Sequence, residues 1–285
     1  MKSTQLELFE LFVNRDEKER REKFGQASVS YQQASSILTA SKGAMADFDF
    51  TLNPYSGCTF ACSYCYAAFF TKTDEEQNSW GRWVRVKENA LQLLMKFRRR
   101  PLYNKSIYMS SVTDPYQPIE RELELTKSLL QELIKYHQVR LVVQTRSPLV
   151  VRDIDLFKQF HSIQVNMSVT TDTEEVRKVF EPVCSSIEMR LKAIQQVREA
   201  GVNACISLSP LLPIHNAEHF AQRLLDTGVS KYYLNSFHMN NSKFVSGTRE
   251  GAIKLVNDLG WNDYKLNETV LKLKERLPIL KVGGC

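Results

Sequence analysis

Short apolar segments alternate with amphipathic helical patterns along most of this 285-residue chain. Strands are predicted at residues 106–112, 139–145, 163–170, 202–208 and 231–234. Helices are predicted at residues 120–136, 152–161, 186–200 and 217–225. With an earlier strand near residue 50, the pattern makes six strand–helix units, and such alternation favours parallel pairing. We therefore predict an α/β fold, a partial (β/α)6 TIM-type barrel.

Sequence patterns on either side of this region predict a three-part organisation. Residues 1–45 form an N-terminal extension, residues 46–240 the core barrel, and residues 241–285 a C-terminal helical extension. The N-terminal extension carries many charged residues at positions 14–23, which is typical of a solvated helix face. A basic arm that touches a nucleic acid is the alternative interpretation.

Three cysteines, Cys58, Cys62 and Cys65, lie within eight residues in the spacing C-x3-C-x2-C. A structural zinc site needs four ligands, but no histidine precedes His137 and the next cysteine is Cys184. Disulfides between such close cysteines suit small secreted scaffolds, and no signal peptide is expected here. Three thiolates can instead hold three irons of a cubic cluster and leave the fourth iron open. Inert buried cysteines remain the simplest alternative.

The overall composition is that of an ordinary globular protein, with 43% hydrophobic and 25% charged residues. No apolar run approaches the ~20 residues that span a bilayer, so no membrane association is expected. The other cysteines are scattered, which favours a reducing, cytoplasmic location. The formal charge of +6 permits nucleic-acid binding without requiring it.

The cysteine motif, with the aromatic Tyr64 before its third cysteine, resembles the signature of the radical S-adenosylmethionine (radical SAM) superfamily. The resemblance implies a [4Fe-4S] cluster held by Cys58, Cys62 and Cys65, with S-adenosylmethionine on the open iron. It also implies an external one-electron reductant of the flavodoxin or ferredoxin type. Reductive cleavage then gives a 5′-deoxyadenosyl radical that abstracts hydrogen from a substrate.

Further stretches resemble the spore photoproduct lyase-like branch of the superfamily, whose members are often called DNA repair photolyases. They lie between about residues 36 and 215 and include residues 52–58, 65–67, 86–90, 112–120, 145–148, 168–171, 181–182 and 188–193. In the lyase that gives this branch its name, a cysteine after the second strand returns a hydrogen atom to the product radical. The corresponding residues 108–111 of this chain contain no cysteine.

The resemblance also implies where the cofactor would lie. Tyr64 is expected near the adenine, and Arg146 at the cofactor carboxylate, where a guanidinium can bind in a bidentate manner. Ser168 would face the ribose or the carboxylate. The remaining expected cofactor contacts are Ser111, Thr113 and Asp114 near the amino group, with Glu181 and Arg190.

Several of these assignments have a structural alternative. Asp114 and Pro115 are ordinary turn residues. Ser168 could be a common strand-end hydroxyl. Glu181 and Arg190 could pair with one another.

Three functions are compatible with these patterns. The first is radical chemistry on a nucleic acid or nucleotide, and the second is radical modification of a protein, peptide or metabolite. The third is a non-catalytic iron–sulfur carrier or redox sensor, although carriers usually use four cysteines.

Overall fold

The protein is described by a computed structural model over residues 20–237, 239 and 248–283. Its strands are β1 (Lys23–Phe24), β2 (Ala27–Gln32), β3 (Leu38–Ala40), β4 (Phe50–Leu52), β5 (Tyr55–Ser56), β6 (Trp83–Lys87), β7 (Tyr103–Met109), β8 (Gln138–Thr145), β9 (Ser162–Ser168), β10 (Asn203–Leu211), β11 (Lys231–Ser236) and β12 (Ile279–Val282). Its α-helices are α1 (Asp74–Asn78), α2 (Ala90–Met95), α3 (Glu120–Leu123), α4 (Leu125–Tyr136), α5 (Ile154–Phe157), α6 (Glu174–Phe180), α7 (Ile187–Glu199), α8 (Ala217–Asp226), α9 (Glu250–Asp258) and α10 (Asp263–Arg276).

The main sheet has the strand order β12-β11-β10-β9-β8-β7-β4-β3. All neighbours pair in parallel except β3 and β4, which are antiparallel. The six predicted strands correspond to β4 and β7–β11, so the prediction of an α/β fold with a parallel core is confirmed. Within the described residues β3 and β12 form the two edges of an open sheet.

The central strands of the main sheet carry the apolar core. In β8 the side chains of Val139, Leu141 and Val143 are buried, and the neighbouring strands continue this core. The residues between them are exposed or half-buried, so the core of β8 lies mainly on one face of the strand. No helix in the part of the chain that the structure describes is long and apolar enough to cross a bilayer.

Two predicted helices differ from the observed ones. The segment 120–136 is divided into α3 and α4 at Glu124, which has a φ of 48°. The Glu120 carboxylate accepts the Thr126 N–H at 2.9 Å and so satisfies the start of α4. The segment 152–161 contains a 3-10 helix at Pro148–Asp153 followed by the short α5.

Several strands were not revealed by the sequence patterns. Strands β1, β2, β6 and β5 form a second, four-stranded sheet, and β12 extends the main sheet at the C-terminal end. The domain boundaries stay a prediction. Most of the charged run at residues 14–23, and Cys285, lie outside the described residues.

A buried network around Glu120 joins loops that follow three different strands. The Tyr55 hydroxyl donates to Glu120, and Arg152 binds Glu120 at 2.8 Å and Asp153 at 2.8 Å. The Tyr116 hydroxyl donates to Asp153 at 2.9 Å. Because β5 leads into the cysteines, this network holds the entry to their loop against the barrel.

We predict that Arg152→Met lowers the free energy of unfolding by about 3–5 kcal/mol, because two buried carboxylates lose their cation. The matched control is Arg223→Met, whose partner Glu188 is 77% exposed, and it should cost less than ~1 kcal/mol. Urea unfolding of the reduced, metal-free protein measures both. Equal losses in the two variants would show that the network does not stabilise the fold.

Candidate functional site

The three cysteines lie on a tight loop of residues 57–65, called the cysteine loop below, between β5 and the 3-10 helix Tyr66–Phe70. Cys58 and Cys62 are buried and Cys65 is half-buried. Ala61 has a φ of 56°, and a Cβ on Gly81 would lie 2.8 Å from the Ala61 Cα. The absence of a side chain at Gly81 therefore allows the loop to approach the neighbouring backbone.

Each cysteine sulfur has a hydrogen-bond donor beside it. The backbone N–H of Phe60 faces Cys58, and that of Ala67 faces Cys65. Burial nevertheless raises the pKa of both thiols, that of Cys65 to about 11.

Cys62 differs from the other two because side chains surround its sulfur. Its Sγ lies 3.0 Å from Arg146 Nη1 and 3.8 Å from Cys184 Sγ. The Cys184 hydrogen bond and the Arg146 charge lower the pKa of Cys62, although burial opposes them. Cys62 is thus the thiol whose surroundings most favour the thiolate.

Glu181 connects the cysteine loop to the carboxyl ends of two strands. Its Oε1 accepts hydrogen bonds from the Tyr64 hydroxyl, from Arg146 Nη1 at 3.0 Å and from Thr170 Oγ1 at 3.0 Å. Arg146 directly follows β8, and Thr170 lies just beyond β9. The Glu181 side chain is completely buried, so this network fixes three elements around one carboxylate.

Arg190 on α7 supplies the second cation for Glu181. Its Nη2 lies 2.6 Å from Glu181 Oε2, so the two side chains form a close, buried ion pair. Burial by itself raises the pKa of Glu181, but the charges of Arg190 and Arg146 outweigh it and lower the pKa to about 2. The carboxylate is therefore ionised at neutral pH.

The polar residues that follow β7 form hydrogen bonds with their own loop, with the end of β8 and with the cysteine loop. Asp114 accepts the Tyr116 N–H at 2.9 Å, the Thr145 hydroxyl at 2.7 Å and the Arg146 N–H at 2.9 Å. Thr113 donates to the Gly57 carbonyl at 2.6 Å. These contacts correspond to the turn role that was the alternative for Asp114, and they join β7, β8 and the cysteine loop.

The remaining predicted contacts lie nearby. The Ser111 hydroxyl accepts from Asn53 Nδ2 at 3.0 Å, and the Ser168 hydroxyl from Gln144 Nε2 at 2.8 Å. Arg190 Nη1 donates to the Ser168 carbonyl at 3.3 Å.

An apolar shell surrounds the cysteine loop. Its buried members are Cys58, Phe60, Cys62, Tyr64, Ala67, Ala68, Trp80, Phe180, Cys184, Leu212, Phe237, Ala252, Val256 and Trp261. Residues of α9 and Trp261 come from the C-terminal segment, so this segment helps to cover the cysteines. Such a shell limits the access of water, which tunes the potential of a metal centre.

A cavity of ≈ 570 Å³ lies beside this shell. Val176, Ile214 and Trp261 form part of its wall and also pack against the shell, while His215 and Lys265 contribute polar groups. Its size lies within the range of small-molecule sites.

The donor set fits a cubic iron–sulfur cluster. Within the described ranges, no three Cys, His, Asp or Glu side chains converge closely enough to bind a single metal ion. A cubic cluster does not need such convergence, because each thiolate binds a different iron. Three thiols on one loop, each beside a hydrogen-bond donor and enclosed by apolar side chains, match that requirement.

Comparison with known proteins defines the class. The model of the radical SAM superfamily matches residues 52–226, more than half of the chain. The chain belongs to the radical SAM superfamily, whose cofactors are a [4Fe-4S] cluster and S-adenosylmethionine.

Several curated relatives are uncharacterised proteins. One from Methanocaldococcus jannaschii is 39% identical over 164 residues, which cover 58% of this chain and 61% of the relative. One from the Acidianus two-tailed virus is 25% identical over 226 residues, covering 73% of this chain and 74% of the relative. The chain thus matches less than two thirds of the length of the Methanocaldococcus protein.

Solved structures show the same fold. A spore photoproduct lyase mutant gives a TM-score of 0.61 at 16% identity, covering 97% of this chain and 93% of that chain. Another lyase mutant, with bound AdoMet and dinucleoside spore photoproduct, gives 0.60 at 15% identity with the same coverage. Streptococcus suis SuiB bound to its precursor peptide SuiA gives 0.52 at 11% identity, covering 82% of this chain and 48% of that chain.

The structure brings Tyr64, Arg146, Glu181 and Arg190 into one network beside Cys62, while Ser111, Thr113, Asp114 and Ser168 lie on adjoining strand ends. Their roles as cofactor contacts stay predictions. Sequence reasoning missed Gln144, Thr170 and the position of Cys184 against Cys62. The first two could have been found as polar residues at the carboxyl ends of strands, where sites of such folds gather.

We predict that Gly81→Ala reduces the iron bound per chain, because the new Cβ would displace the cysteine loop at Ala61. The control is Gly201→Ala, which has a similar positive φ of 81° but nothing within 4 Å of the new Cβ. It should cost about 1–2 kcal/mol of stability and leave iron binding unchanged. Iron analysis after anaerobic reconstitution checks this; full iron binding by Gly81→Ala would contradict it.

We predict that Glu181→Gln destabilises the protein most above about pH 5. The folded-state pKa is lowered from 4.5 to about 2, so the carboxylate stabilises the fold above pH 4.5 and this contribution is lost as the pH falls towards 2. The difference between wild type and variant should therefore narrow on acidification. Urea unfolding of the reduced, metal-free protein at several pH values measures it, and a difference independent of pH would contradict the assignment.

Proposed function

We propose that this protein is an enzyme that cleaves S-adenosylmethionine reductively. The resulting 5′-deoxyadenosyl radical would abstract a hydrogen atom from a nucleic-acid substrate. The observation that carries the proposal is the contact between the cysteine loop and the side chains around Glu181, which we call a junction. This junction places three thiols, two guanidinium groups and a buried carboxylate at the carboxyl ends of the barrel strands. The arrangement has the donors and charges that such a cofactor pair needs.

Different residues of the chain would bind the two cofactors. Cys58, Cys62 and Cys65 would hold the cluster, and when bound the cluster and S-adenosylmethionine supply the electron and the hydrogen-abstracting group. Among the described residues, the side-chain hydrogen bonds of Arg146 all use Nη1, so Nε and Nη2 are available to a carboxylate. Glu181 fixes the guanidinium from the opposite side.

Two features support a nucleic-acid substrate. The formal charge is +6, which favours association with a polyanion. Over 97% of its length the chain has the fold of a spore photoproduct lyase mutant. The structure of that mutant contains a bound dinucleoside spore photoproduct. One fold can carry many different activities, so transfer of a label from the substrate is the decisive measurement.

Hydrogen abstraction, rather than the complete lyase reaction, is the step that we propose. At the end of β7 the chain has Ser110, whose hydroxyl donates to the Thr113 carbonyl. A serine O–H is too strong a bond to return hydrogen to a carbon radical usefully. The product is therefore expected to differ from that of the lyase.

The proposal also includes an electron donor and a cellular compartment. A small one-electron donor of the flavodoxin or ferredoxin type would reduce the cluster. A reducing, cytoplasmic compartment suits the scattered, unbridged cysteines.

We predict that the anaerobically reconstituted protein, reduced with dithionite, forms 5′-deoxyadenosine from S-adenosylmethionine. Cys58→Ala should abolish product formation because it removes a cluster ligand, whereas Cys205→Ala should retain it. Chromatography with mass detection measures the product. A wild-type protein with a full, reducible cluster and no product would refute the enzymatic proposal.

The substrate class is tested by transfer of deuterium into 5′-deoxyadenosine. We predict transfer from deuterated thymidine-containing oligonucleotides, and binding of these oligonucleotides that weakens steeply with salt. Transfer from a deuterated peptide pool, without binding of oligonucleotides at low salt, would replace the nucleic-acid assignment by peptide modification.

A further inference from the structure

Cys184 lies outside the C-x3-C-x2-C motif, but the fold brings it into contact with a cysteine of that motif. It lies on the loop between α6 and α7, 122 residues from Cys62, yet the two Sγ atoms are 3.8 Å apart. Cys184 is 6% exposed and belongs to the apolar shell around the cysteine loop. Its thiol is therefore placed beside one cluster ligand and away from bulk water.

Several contacts fix the position of Cys184. Its N–H donates to the Glu181 carbonyl at 3.1 Å, and its own carbonyl accepts from Arg177 Nη1 at 2.8 Å. The Cys184 thiol can also donate to the Phe60 carbonyl oxygen, but that contact, at 4.0 Å, is longer than the 3.8 Å contact with Cys62. The loop that carries Cys184 is thus attached both to the Glu181 network and to the cysteine loop.

The donor in the pair follows from what the cluster requires. A thiolate that binds iron has only lone pairs to offer, so Cys62 must accept and Cys184 must donate its S–H.

The three cluster ligands consequently differ in their hydrogen bonding. Cys58 and Cys65 each face one neutral backbone N–H, from Phe60 and Ala67. Cys62 has the Arg146 guanidinium at 3.0 Å and the Cys184 thiol at 3.8 Å. Donors to a ligand sulfur stabilise the more negative, reduced form of a cluster and so raise its reduction potential.

We propose that Cys184 is a positioning residue whose thiol donates a hydrogen bond to the Cys62 thiolate and raises the reduction potential of the cluster. This inference rests on cluster binding in the proposed function but not on the substrate. Cys184 acts through Cys62 and does not bind iron itself. The fourth iron stays open for S-adenosylmethionine.

The test compares Cys184→Ala, Cys184→Val and Cys184→Ser with wild type in the full-length, anaerobically reconstituted protein, without S-adenosylmethionine or substrate. Iron is counted for each protein, and the potential is measured by redox titration followed by electron paramagnetic resonance. We expect Cys184→Ala and Cys184→Val, which lack a donor, to lower the ratio of reduced to oxidised cluster at a fixed potential. The change should be up to about tenfold, which is 59 mV for a one-electron couple.

Cys184→Ser keeps a donor and should retain a potential close to that of wild type. The matched control is Cys205→Ala, a buried cysteine of β10 whose sulfhydryl contacts the Ile206 carbonyl at 3.6 Å. Among the described residues the apolar shell does not include Cys205, so its removal should leave the potential unchanged. Pulsed resonance in D2O should also show one exchangeable proton fewer near the cluster in Cys184→Ala.

Three results would overturn the inference. One is an unchanged potential in Cys184→Ala and Cys184→Val with full iron content. Another is a potential in Cys184→Ser that falls as far as in Cys184→Ala, and the third is loss of the cluster from all three variants. Failure to form 5′-deoxyadenosine with an intact wild-type cluster would refute the proposed function alone, because the potentials are measured without the cofactor.

Discussion

The structure of the site depends on one buried carboxylate, Glu181. A charge with no exposed surface is costly unless cations and hydrogen bonds surround it, and here Arg146, Arg190, Tyr64 and Thr170 do so. Arg146 directly follows β8, and Thr170 lies just beyond β9. Arg190 lies on α7, and Tyr64 lies on the cysteine loop. Because the charge needs all its partners, elements far apart in the chain are held at one place.

A second buried carboxylate has the same role on the other side of the cysteine loop. Glu120 binds Tyr55 and Arg152, and it also caps α4, so the strand that leads into the cysteines is attached to the loops after β7 and β8. Between these networks the loop passes Gly81 at close distance. The loop is thus held by charges at both ends and by backbone packing between them.

The surroundings of Cys62 connect this structure to redox chemistry. Arg146 contacts both Glu181 and the Cys62 sulfur, and Cys184 follows Glu181 by three residues and contacts the same sulfur. The network that orders the loops therefore also sets the polarity around the sulfur of one of the three motif cysteines. The C-terminal segment completes the enclosure through Ala252, Val256 and Trp261.

The sequence by itself determined the class of the fold and the position of the three cysteines. Apolar strands alternate with helices, and the motif is local, so spacing alone reveals both. The resemblance to the radical SAM superfamily added Tyr64, Arg146, Glu181 and Arg190 as expected cofactor contacts, and these roles stay predictions. Only the tertiary structure decided how these residues pair, that Asp114 forms a turn, and that Cys184 meets Cys62. Such contacts depend on the register of distant strands and on buried charges that must find partners, and neither leaves a periodic signal in the chain.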